Sequence, residues 1–411
     1  KSDFKICIVG LGYVGLPLAA RFALKKFNVV GFDINKNRVQ ELLNNSDRND
    51  DIALAQLKVL NSKSLLTTNP SEIKDCNVFI VTVPTPINED NTPDLEPIIT
   101  SSELIGSLMA RDSLIIYEST VYPGVTDDIC TPILERESKF IFNEDFATGY
   151  SPERIVPGDK VNTIEKIKKI VSASNPVALE LTSFLYNSII DAGIHKAPSI
   201  IVAEAAKVTE NIQRDVNIAL INEMHQLFTN IGINTNDVID AASTKWNFMR
   251  LSPGMVGGHC ISIDPYYLMH KSEMSGYTPN IMRASRKIND EMTHWVVEKF
   301  IEFIERQAVD IKDVEITFLG YSFKENCSDT RNTKVKDLIN LVKDRGLKVC
   351  LWDPIVDKNE LKELENHGIK AYSSKPENID CAFLCVNHDE INNFLESYTG
   401  LIFDYKNIDI R

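Results

Sequence analysis

Short apolar runs and longer amphipathic segments alternate along the first 150 residues. The runs KICIVG, VVGFDI and NVFIVTVPTP are separated by segments such as PLAARFALKK, in which apolar residues recur at helical spacing. Two further apolar runs, LIIYEST and KFIFNEDF, follow. Strands that alternate with helices are typical of a parallel sheet covered on both faces. The pattern therefore predicts a doubly wound α/β domain over residues 1–197, with LIIYEST and KFIFNEDF among its strands.

The pattern becomes helical in the middle of the chain and returns to alternation near its end. Residues 199–230 contain neither proline nor glycine, and a second helical segment lies near IMRASRKINDEM. From about residue 310 the apolar runs VEITFLGYSF, KVCLWDP, CAFLCVN and LIFDYKN surround the helical KVKDLINLVKDRG. We therefore predict an α/β fold of two Rossmann-like doubly wound domains, 1–197 and 310–411, joined by a long central helix and a helical middle domain at 198–309.

The charge balance excludes some classes of partner. The 411 residues include 44 Lys and Arg against 58 Asp and Glu, a formal net charge of -14, and the basic residues are scattered. A nucleic-acid surface needs clustered basic residues, so we expect no nucleic-acid partner. No apolar run approaches the roughly 20 residues of a membrane helix, and KSDFK leads directly into the first strand. We expect a cytoplasmic protein without signal peptide or membrane contact.

The cysteines and histidines argue against a metal or disulfide framework. Eight cysteines lie far apart in the chain, as expected of free thiols in a reducing compartment. There is no Cys-x-x-Cys and no closely spaced pair of histidines. We therefore predict that the protein holds no metal.

A glycine-rich turn after the first predicted strand is the strongest sign of a cofactor. Gly10 permits a tight turn, Gly12 lets the backbone approach a pyrophosphate, and Gly15 allows close packing of helix on strand. The helix that follows directs its positive N-terminus at the phosphates. The alternative is a turn that needs glycines for structure alone. We predict a dinucleotide site that also includes Tyr13 and Val14.

Residues at the ends of the following strands complete the predicted cofactor site. Asp33 ends VVGFD about twenty residues after the glycines, where it can accept hydrogen bonds from an adenosine ribose. An acidic residue there favours NAD over NADP, although the nearby Arg38, which we also predict to contact the cofactor, qualifies that preference. Thr85, in VTVPTP, and Ser119 and Thr120, in YESTVYPG, follow two strands. Because strand ends line the cofactor in this fold, we predict that all three contact it.

The stretch GGHCISIDP contains the candidate nucleophile, Cys260. A thiolate is the reactive form of cysteine, and glycines around it would let a substrate approach the sulfur. If the chain is helical from Ile261, Asp264 lies one turn away and could orient a water or accept a proton. Alternatively, Asp264 caps a helix whose first residue is Pro265. We predict that Cys260 is functional and favour a functional Asp264.

Polar residues of the long helix and of one loop extend the candidate site. Lys207 and Asn211 are four residues apart and share a helical face, with Glu204 one turn before Lys207. Exposed salt bridges would be the ordinary explanation, but the alanines around Lys207 suggest burial, and a buried lysine can act as a base or stabilise an oxyanion. Glu153 lies in the proline-flanked loop SPERIVPG. With a nicotinamide cofactor and a cysteine, these residues suggest oxidation through a covalent thio-intermediate.

Taken together, the ordered motifs identify a family. The chain resembles the UDP-glucose/GDP-mannose dehydrogenase family in GLGYVGLPLA, TVPTP, YESTVYPG, GYSPERIVPGD, AEAAKVTENIQRDVNIALINE, GMVGGHCISIDPYYL and LGYSFKENCSDTRNTK, across essentially its whole length. The GGHC and DPYYL segments look like the branch that acts on UDP-N-acetylhexosamines. KWNF, GGHCI and FKENC are similar to enzymes of Vi-antigen and O-antigen synthesis. The resemblance implies oxidation of a sugar C6 alcohol to a carboxylate with two NAD+, for a surface polysaccharide.

The resemblance also implies roles for individual residues. Cys260 would trap the C6 aldehyde as a thiohemiacetal, and a second oxidation would leave a thioester for water to cleave. Lys207 and Asn211 would hold the C6 oxygen. Asp264 and Glu153, with Thr120, would manage the hydrolytic water.

The C-terminal domain would bind the uridine diphosphate. Arg331 would reach toward the cofactor. The substrate-binding residues implied by the resemblance are Glu153, Arg154, Lys207, Asn211, Gly257, Phe323 and Lys324.

One position departs from the family pattern. UDP-glucose members commonly have a lysine immediately before the catalytic aspartate, whereas this chain has Ile263. The difference supports the acetamido-sugar branch. The family's central helical region also forms a dimer interface, so we expect a homodimer.

Several alternatives remain open at this point. The best candidate substrate is UDP-N-acetylglucosamine, and UDP-N-acetylgalactosamine and UDP-N-acetylmannosamine are the nearest alternatives. A two-electron hydroxyacid dehydrogenase would share the glycine turn but need no cysteine. A non-catalytic NAD sensor is a third possibility, against which Cys260, Lys207 and Asn211 argue.

Overall fold

The strands in the described part of the chain form two separate sheets. The computed structural model describes residues 4–49, 51–155, 161–258, 261–307 and 314–408. The chain divides into a first unit, Lys1–Glu210 with Tyr266–Tyr277, and a second unit, Asn211–Pro265 with Thr278–Arg411. The three domains that the sequence suggests, 1–197, 198–309 and 310–411, stay a prediction.

The first unit is built on an eight-stranded sheet. Its elements, in chain order, are β1 (Lys5–Val9), α1 (Gly15–Leu24), β2 (Asn28–Phe32), α2 (Lys36–Leu43), α3 (Leu54–Lys63), β3 (Leu65–Thr67), β4 (Val78–Val81), α4 (Glu96–Leu108), β5 (Ser113–Tyr117), α5 (Thr131–Ser138), β6 (Phe146–Tyr150), β7 (Lys169–Ala173), α6 (Pro176–Asn187) and β8 (Ile194–Lys196). The strand order is β3-β2-β1-β4-β5-β6-β7-β8. All neighbours are parallel except β6 and β7.

The hydrophobic pattern explains the buried centre of this sheet. The central strands KICIV, VFIV and SLIIY are almost continuously buried, as expected where helices cover both faces of a parallel sheet. The chain moves outward from β1 to β3 and then returns to β4 on the other side of β1. Ligands bind outside the carboxyl ends of the strands at such a switch point, here between β1 and β4.

One predicted strand of this unit is displaced. KFIFNEDF, predicted as a strand, is mostly a turn, and the strand is the following segment FATGY, Phe146–Tyr150. Lys139 and Asn143 have φ values of 63° and 62°, in the left-handed region that no strand can contain. The true strand includes a threonine and a glycine, which weakened its apolar pattern.

The second unit contains a five-stranded parallel sheet. The remaining elements are α7 (Ile200–Asn230), α8 (Thr235–Ser243), α9 (Asp264–Met274), α10 (Asn280–Arg306), β9 (Glu315–Leu319), α11 (Lys334–Asp344), β10 (Lys348–Trp352), α12 (Lys358–Asn366), β11 (Lys370–Tyr372), β12 (Cys381–Leu384), α13 (Asp389–Leu395) and β13 (Leu401–Asp404). The strand order is β11-β10-β9-β12-β13. The predicted doubly wound α/β fold with a long central helix is thus confirmed, and α7 is that helix.

The described residues contain neither a membrane-spanning helix nor a cluster of metal ligands. Within the described ranges, no helix is both long and apolar enough to cross a membrane. Among the same residues, no group of three or more His, Cys, Asp or Glu is arranged to hold a metal ion.

Candidate active site

The glycine-rich turn has the geometry of a dinucleotide site. Gly10 follows β1 with a φ of 98°, and its N–H donates to the Phe32 carbonyl at 2.8 Å. A Cβ added to Gly15 would lie 1.9 Å from the Gly10 carbonyl oxygen, so the helix can start here only with glycine. A Cβ on Gly12 would meet nothing within 4 Å. That open space is where a pyrophosphate can approach the backbone, so these residues fit the cofactor.

A threonine that the sequence analysis missed supports this turn. Thr82, directly after β4, donates its hydroxyl to the Gly10 carbonyl at 2.8 Å. It lies in the VTVPTP segment but was not singled out, because its role depends on β4 lying beside β1. Tyr13 and Val14 are half-buried in the turn. Their predicted cofactor contacts stay predictions.

Asp33 lies at the carboxyl end of β2, beside the same turn. Its Oδ2 accepts the Leu11 N–H and its Oδ1 accepts the Asn35 N–H, each at 2.8 Å. The side chain is only half-buried, and a carboxylate has further lone pairs for a ribose hydroxyl. The position therefore suits the predicted role.

Arg38 is engaged within the protein. Its Nε donates to the Leu11 carbonyl at 3.0 Å, and Nη1 donates to Asp47 at 2.8 Å and Glu41 at 3.2 Å. Nη2 lies 3.5 Å from Asp51. The guanidinium is buried among three carboxylates, so its charge is already compensated. It therefore does not offer the cation that a 2'-phosphate would need.

The hydroxyl residues after β4 and β5 differ in their environments. Thr85 is buried, and the Ser119 hydroxyl donates to the Val83 carbonyl at 2.7 Å, which links the two strand ends. Thr120 is half-buried. Thr85 follows β4, which flanks the switch point, and Ser119 and Thr120 follow the next strand, β5. Their contacts with the cofactor remain a prediction.

Glu153 belongs to a buried charge cluster with Glu118 and Lys169. The Lys169 ammonium donates to Glu153 at 2.7 Å and to Glu118 at 2.8 Å, and the Tyr186 hydroxyl also donates to Glu118. The other Glu153 oxygen accepts the N–H groups of Arg154 and Ile155 at 2.6 and 2.8 Å. Three donors thus fix the Glu153 carboxylate in one orientation.

The pKa values of the two carboxyl groups in this cluster are shifted in opposite directions. Burial raises the pKa of Glu118 to about 7 despite the neighbouring Lys169 ammonium. Burial alone would also raise the pKa of Glu153, but Lys169 and the two backbone N–H groups outweigh it and lower that pKa. Burial opposes the charge of Lys169, yet the two carboxylates outweigh it and raise the lysine pKa. Glu153 is therefore a fixed, ionised acceptor rather than a group that exchanges its proton near neutral pH.

Sequence reasoning did not find Glu118 or Lys169. Glu118 stands in the quoted YEST motif, but Lys169 opens a strand 51 residues later with no local motif around it. Arg154, predicted to bind substrate, pairs with Glu210 at 2.8 Å and donates to the Lys168 carbonyl at 2.7 Å. It therefore connects the Glu153 loop to α7.

The part of α7 in the first unit holds Glu204 and Lys207. Glu204 is fully buried and accepts the N–H groups of Gly124 and Thr126 at 2.6 and 3.0 Å, where a π-helical turn, Thr126–Cys130, begins. Burial raises the pKa of Glu204 to about 7. Lys207 is 8% exposed. Among the described residues, its ammonium forms no hydrogen bond or ion pair, so it can still bind an oxyanion.

The second unit brings Asn211 and Asp264 together. The Asn211 amide donates to the Asp264 carboxylate at 2.5 Å, and both side chains are buried. Residues 261–263 form a turn and α9 begins at Asp264, so the chain is not helical from Ile261. In the capping alternative the helix begins at Pro265, whereas α9 includes Asp264 as its first residue. Cys260 lies outside the described residues.

The described cysteines are all buried. Seven thiols are buried and form no disulfide among the described residues, namely those of Cys7, Cys76, Cys130, Cys327, Cys350, Cys381 and Cys385. Burial raises the pKa of Cys130 and of Cys381 to about 12.

The second sheet has a cavity of about 400 Å³ at its own switch point, between β9 and β12. Phe323 and Lys324, which follow β9, line it together with Cys385 and Val386, which follow β12. Gly257 also lines it, and a Cβ there would lie 2.8 Å from the Asn332 carbonyl oxygen. The structure thus groups three of the predicted substrate residues around one cavity.

Arg331 lies in the same unit, where it forms an ion pair with Asp329. Its predicted reach toward the cofactor stays a prediction.

Comparison with known proteins agrees with this arrangement. The chain matches three domains of the UDP-glucose/GDP-mannose dehydrogenase family: the NAD-binding domain over residues 4–190, the central domain over 201–291 and the UDP-binding domain over 317–410. It is 48% identical over 393 residues to the UDP-N-acetyl-D-glucosamine 6-dehydrogenase of Pseudomonas aeruginosa, covering 95% of this chain and 92% of that protein. The enzyme of the same name from Salmonella typhi is 46% identical, with coverages of 95% and 91%.

A solved structure gives the same result at the level of the fold. The UDP-D-ManNAc dehydrogenase of Pyrococcus horikoshii superposes with a TM-score of 0.85 at 28% identity, covering 99% of this chain and 96% of that one. The predicted family and the NAD cofactor are confirmed, and a two-electron hydroxyacid dehydrogenase is not favoured. The chain belongs to the UDP-glucose/GDP-mannose dehydrogenase family and is an NAD-binding oxidoreductase that acts on CH–OH groups.

Proposed function

We propose that this enzyme oxidises the C6 alcohol of UDP-N-acetylglucosamine to the uronate, with two NAD+ consumed per sugar. The observation that supports this substrate is the graded similarity to named relatives. Two UDP-N-acetyl-D-glucosamine 6-dehydrogenases are 48% and 46% identical to the chain, whereas UDP-N-acetyl-D-mannosamine dehydrogenases of Methanococcus maripaludis and Methanocaldococcus jannaschii are 30% and 32% identical. Ile263, in the place of the lysine typical of UDP-glucose members, supports the same branch.

The proposed chemistry begins with Lys207 and Asn211. Bound NAD would supply the hydride acceptor for each of the two oxidations of the sugar carbon. The buried Lys207 ammonium, which has no partner among the described residues, would stabilise the negative charge that develops on the C6 oxygen as the hydroxyl proton passes to water. Asn211 donates one amide hydrogen to Asp264, which leaves its other N–H for the same oxygen.

The covalent step is assigned to Cys260. Its thiolate would add to the C6 aldehyde and form a thiohemiacetal, and the second oxidation would convert this adduct to a thioester. Water would then cleave the thioester, release the carboxylate and restore the thiol. Glu153, whose carboxylate is fixed and ionised, would orient that water together with Thr120, while Asp264 would accept its proton.

The test is the yield of NADH when a limiting amount of sugar nucleotide is fully consumed. UDP-N-acetylglucosamine should give two NADH per sugar. UDP-N-acetylgalactosamine, UDP-N-acetylmannosamine and UDP-glucose, measured in parallel, should react more slowly. A yield of one NADH per sugar would contradict the thioester route, and faster turnover of an epimer would replace the proposed substrate.

The proposal includes a homodimer formed through α7. Leu220, Met224 and Leu227 recur at helical spacing on this helix and are 48%, 38% and 53% exposed, and Ile231 continues the stripe. A second copy of the chain would cover such a stripe. We expect Leu220→Glu with Leu227→Glu to give a monomer in light scattering. Gln213→Glu, at an exposed position of the same helix, is the control that should stay dimeric.

The resemblance to enzymes of Vi-antigen and O-antigen synthesis supports a role in supplying a uronate for a surface polysaccharide. A cytoplasmic location is part of the same proposal, because it is where the two co-substrates, NAD+ and a nucleotide sugar, are both available.

A further inference from the structure

The two sheets share one arrangement of hydrogen bonds, which follows β1 in the first unit and β9 in the second. In the first unit, Gly10 follows β1, the Gly10 N–H donates to the Phe32 carbonyl at 2.8 Å, and Asp33 accepts the Leu11 N–H at 2.8 Å. In the second unit, the corresponding residues form the corresponding contacts. Gly320 follows β9, its N–H donates to the Trp352 carbonyl at 2.9 Å, and Asp353 accepts the Tyr321 N–H at 2.6 Å.

The arrangement after β9 cannot hold a dinucleotide in the way that the turn after β1 can. Counted from the first glycine, Ser322 stands where the first unit has Gly12, and Glu325 where it has Gly15. The aspartate is also unavailable to a ribose. Asp353 is completely buried, its carboxylate accepts four backbone N–H groups, and it lies 3.1 Å from Nε2 of the equally buried His388.

His388 connects this aspartate to the loop that lines the cavity. The backbone N–H of Asn326 donates to Nδ1 of His388 at 2.9 Å. Because a backbone nitrogen can only donate, Nδ1 must be the acceptor, and Nε2 then holds the proton that is donated to Asp353. The contacts therefore fix a single tautomer of His388.

The neighbouring Asp389 holds the same loop residue. The Asn326 amide donates to the Asp389 carboxylate at 2.9 Å, and the Asp389 N–H donates to the Asn326 side-chain oxygen at 3.1 Å. Asn326 has a φ of 54°, a left-handed conformation that an unsupported loop residue seldom keeps. Asp353 thus holds the start of the loop, at Tyr321 and Ser322, and His388 with Asp389 holds its end.

We infer that Asp353 at one end and His388 with Asp389 at the other form a clamp that positions the loop of residues 322–326 for binding the nucleotide diphosphate. Phe323, Lys324 and Glu325 lie between the two clamped ends and line the cavity. A loop fixed in its binding conformation loses less conformational entropy on binding than a mobile one. His388 is a positioning residue in this account. The inference rests on the proposed binding of the UDP moiety in this cavity.

Two substitutions of His388 distinguish the hydrogen bond made by Nδ1 from the one made by Nε2. His388→Gln places an amide N–H near Nε2 and keeps the contact with Asp353, but it loses the acceptor for Asn326. His388→Asn places a carbonyl oxygen near Nδ1 and keeps that acceptor. His367→Gln is the control, because His367 is an exposed histidine of the same unit whose Nδ1 contacts only the Glu363 carbonyl among the described residues.

The measurement is calorimetric titration of the full chain with UDP, and separately with NAD. We expect His388→Gln to raise the Kd for UDP about three- to tenfold, the effect of losing one hydrogen bond. His388→Asn and His367→Gln should stay within about twofold of the wild type on the same scale. The Kd for NAD should be unchanged in all three variants, which general damage to the fold would not allow.

Other outcomes overturn the inference. Wild-type affinity of His388→Gln for UDP, or equal weakening in His388→Asn, would exclude the clamp while leaving the cavity as the UDP site. Failure of the wild type to bind UDP would overturn both. If His388→Gln does not fold, Asn326→Gly replaces it, since this exposed residue can keep its left-handed backbone as glycine but loses both Asp389 contacts. Unchanged UDP affinity in that variant would equally exclude the clamp.

Discussion

The Asn211 amide donates a hydrogen bond of 2.5 Å to the Asp264 carboxylate, although 53 residues separate them in the chain. The contact joins the long helix α7 to the first residue of α9. Both residues belong to the proposed catalytic set, so one hydrogen bond orients the amide that would hold the sugar oxygen and the carboxylate that would take a proton.

Removing this amide should reduce both stability and turnover. Asn211→Ala leaves a buried carboxylate without this donor, and we expect a loss of about 1–3 kcal/mol in the free energy of unfolding. The kcat should fall at least about tenfold, because one interaction with the transition-state oxygen is lost. Urea denaturation and steady-state kinetics measure the two effects. Asn217→Ala, a half-buried asparagine on the same helix, should change neither appreciably.

Replacing the proposed nucleophile should separate binding from chemistry. We expect Cys260→Ala to abolish uronate formation and to leave NAD binding largely intact, measured by product analysis and by calorimetry. Cys381→Ala is the matched control. Its thiol is buried in β12, so this variant should lose about 1 kcal/mol of stability but still give two NADH per sugar. Uronate formation by Cys260→Ala at the normal rate would rule out the thioester.

Asp33→Ala should weaken NAD much more than the sugar nucleotide. The substitution removes the acceptor for the ribose and for the Leu11 N–H, so we expect the Kd for NAD to rise about tenfold or more. The Kd for UDP should stay within about twofold. Equal weakening of the two ligands would count against the ribose assignment. Asp75→Ala, an exposed aspartate of the same unit, is the control.

Glu204 should make stability depend on pH in a defined direction. Its folded pKa of about 7 lies above the ordinary value of 4.5, so the folded state holds a proton that the unfolded state has lost between these two pH values. Stability should therefore fall as pH rises from about 4.5 to about 7, by on the order of 2–3 kcal/mol from this residue.

Glu204→Gln should reduce that slope by the Glu204 contribution and leave the one from Glu118, whose pKa burial also raises to about 7, as measured by urea denaturation across the pH range. Glu210→Gln, on the same helix but partly exposed and paired with Arg154, should retain it. A slope that is identical in Glu204→Gln and the wild type would show that another group is responsible.

The sequence predicted those parts of the fold that depend on hydrophobic periodicity and on the positions of glycines. The Gly10 turn, the strands β1, β4 and β5, and the helix α7 each follow from periodicity and from glycine positions. The displaced strand β6 shows the limit of that approach. FATGY lies within a sheet that buries it on both faces, but its threonine and glycine make it look less strand-like than the preceding turn.

The site was predictable only where its residues stand in motifs. Glu153, Lys207 and Asp264 are site candidates because of the motifs in which they stand, whereas Lys169 stands in no motif. Lys169 matters because β6 and β7 pair in an antiparallel manner and bring its ammonium to Glu118 and Glu153. His388 was missed for the same reason, since its partners Asp353 and Asn326 meet it only in the folded chain.

The burial of the seven described thiols makes the enzyme suitable for chemical labelling. An alkylating reagent reacts with an accessible thiolate, and all seven described thiols are buried, with the pKa values of Cys130 and Cys381 raised to about 12 by that burial. The sequence has eight cysteines, so Cys260 is the one that remains. Any rapid, single-site mass increase in the folded enzyme therefore reports on Cys260, and its protection by bound sugar nucleotide would measure occupancy without any turnover.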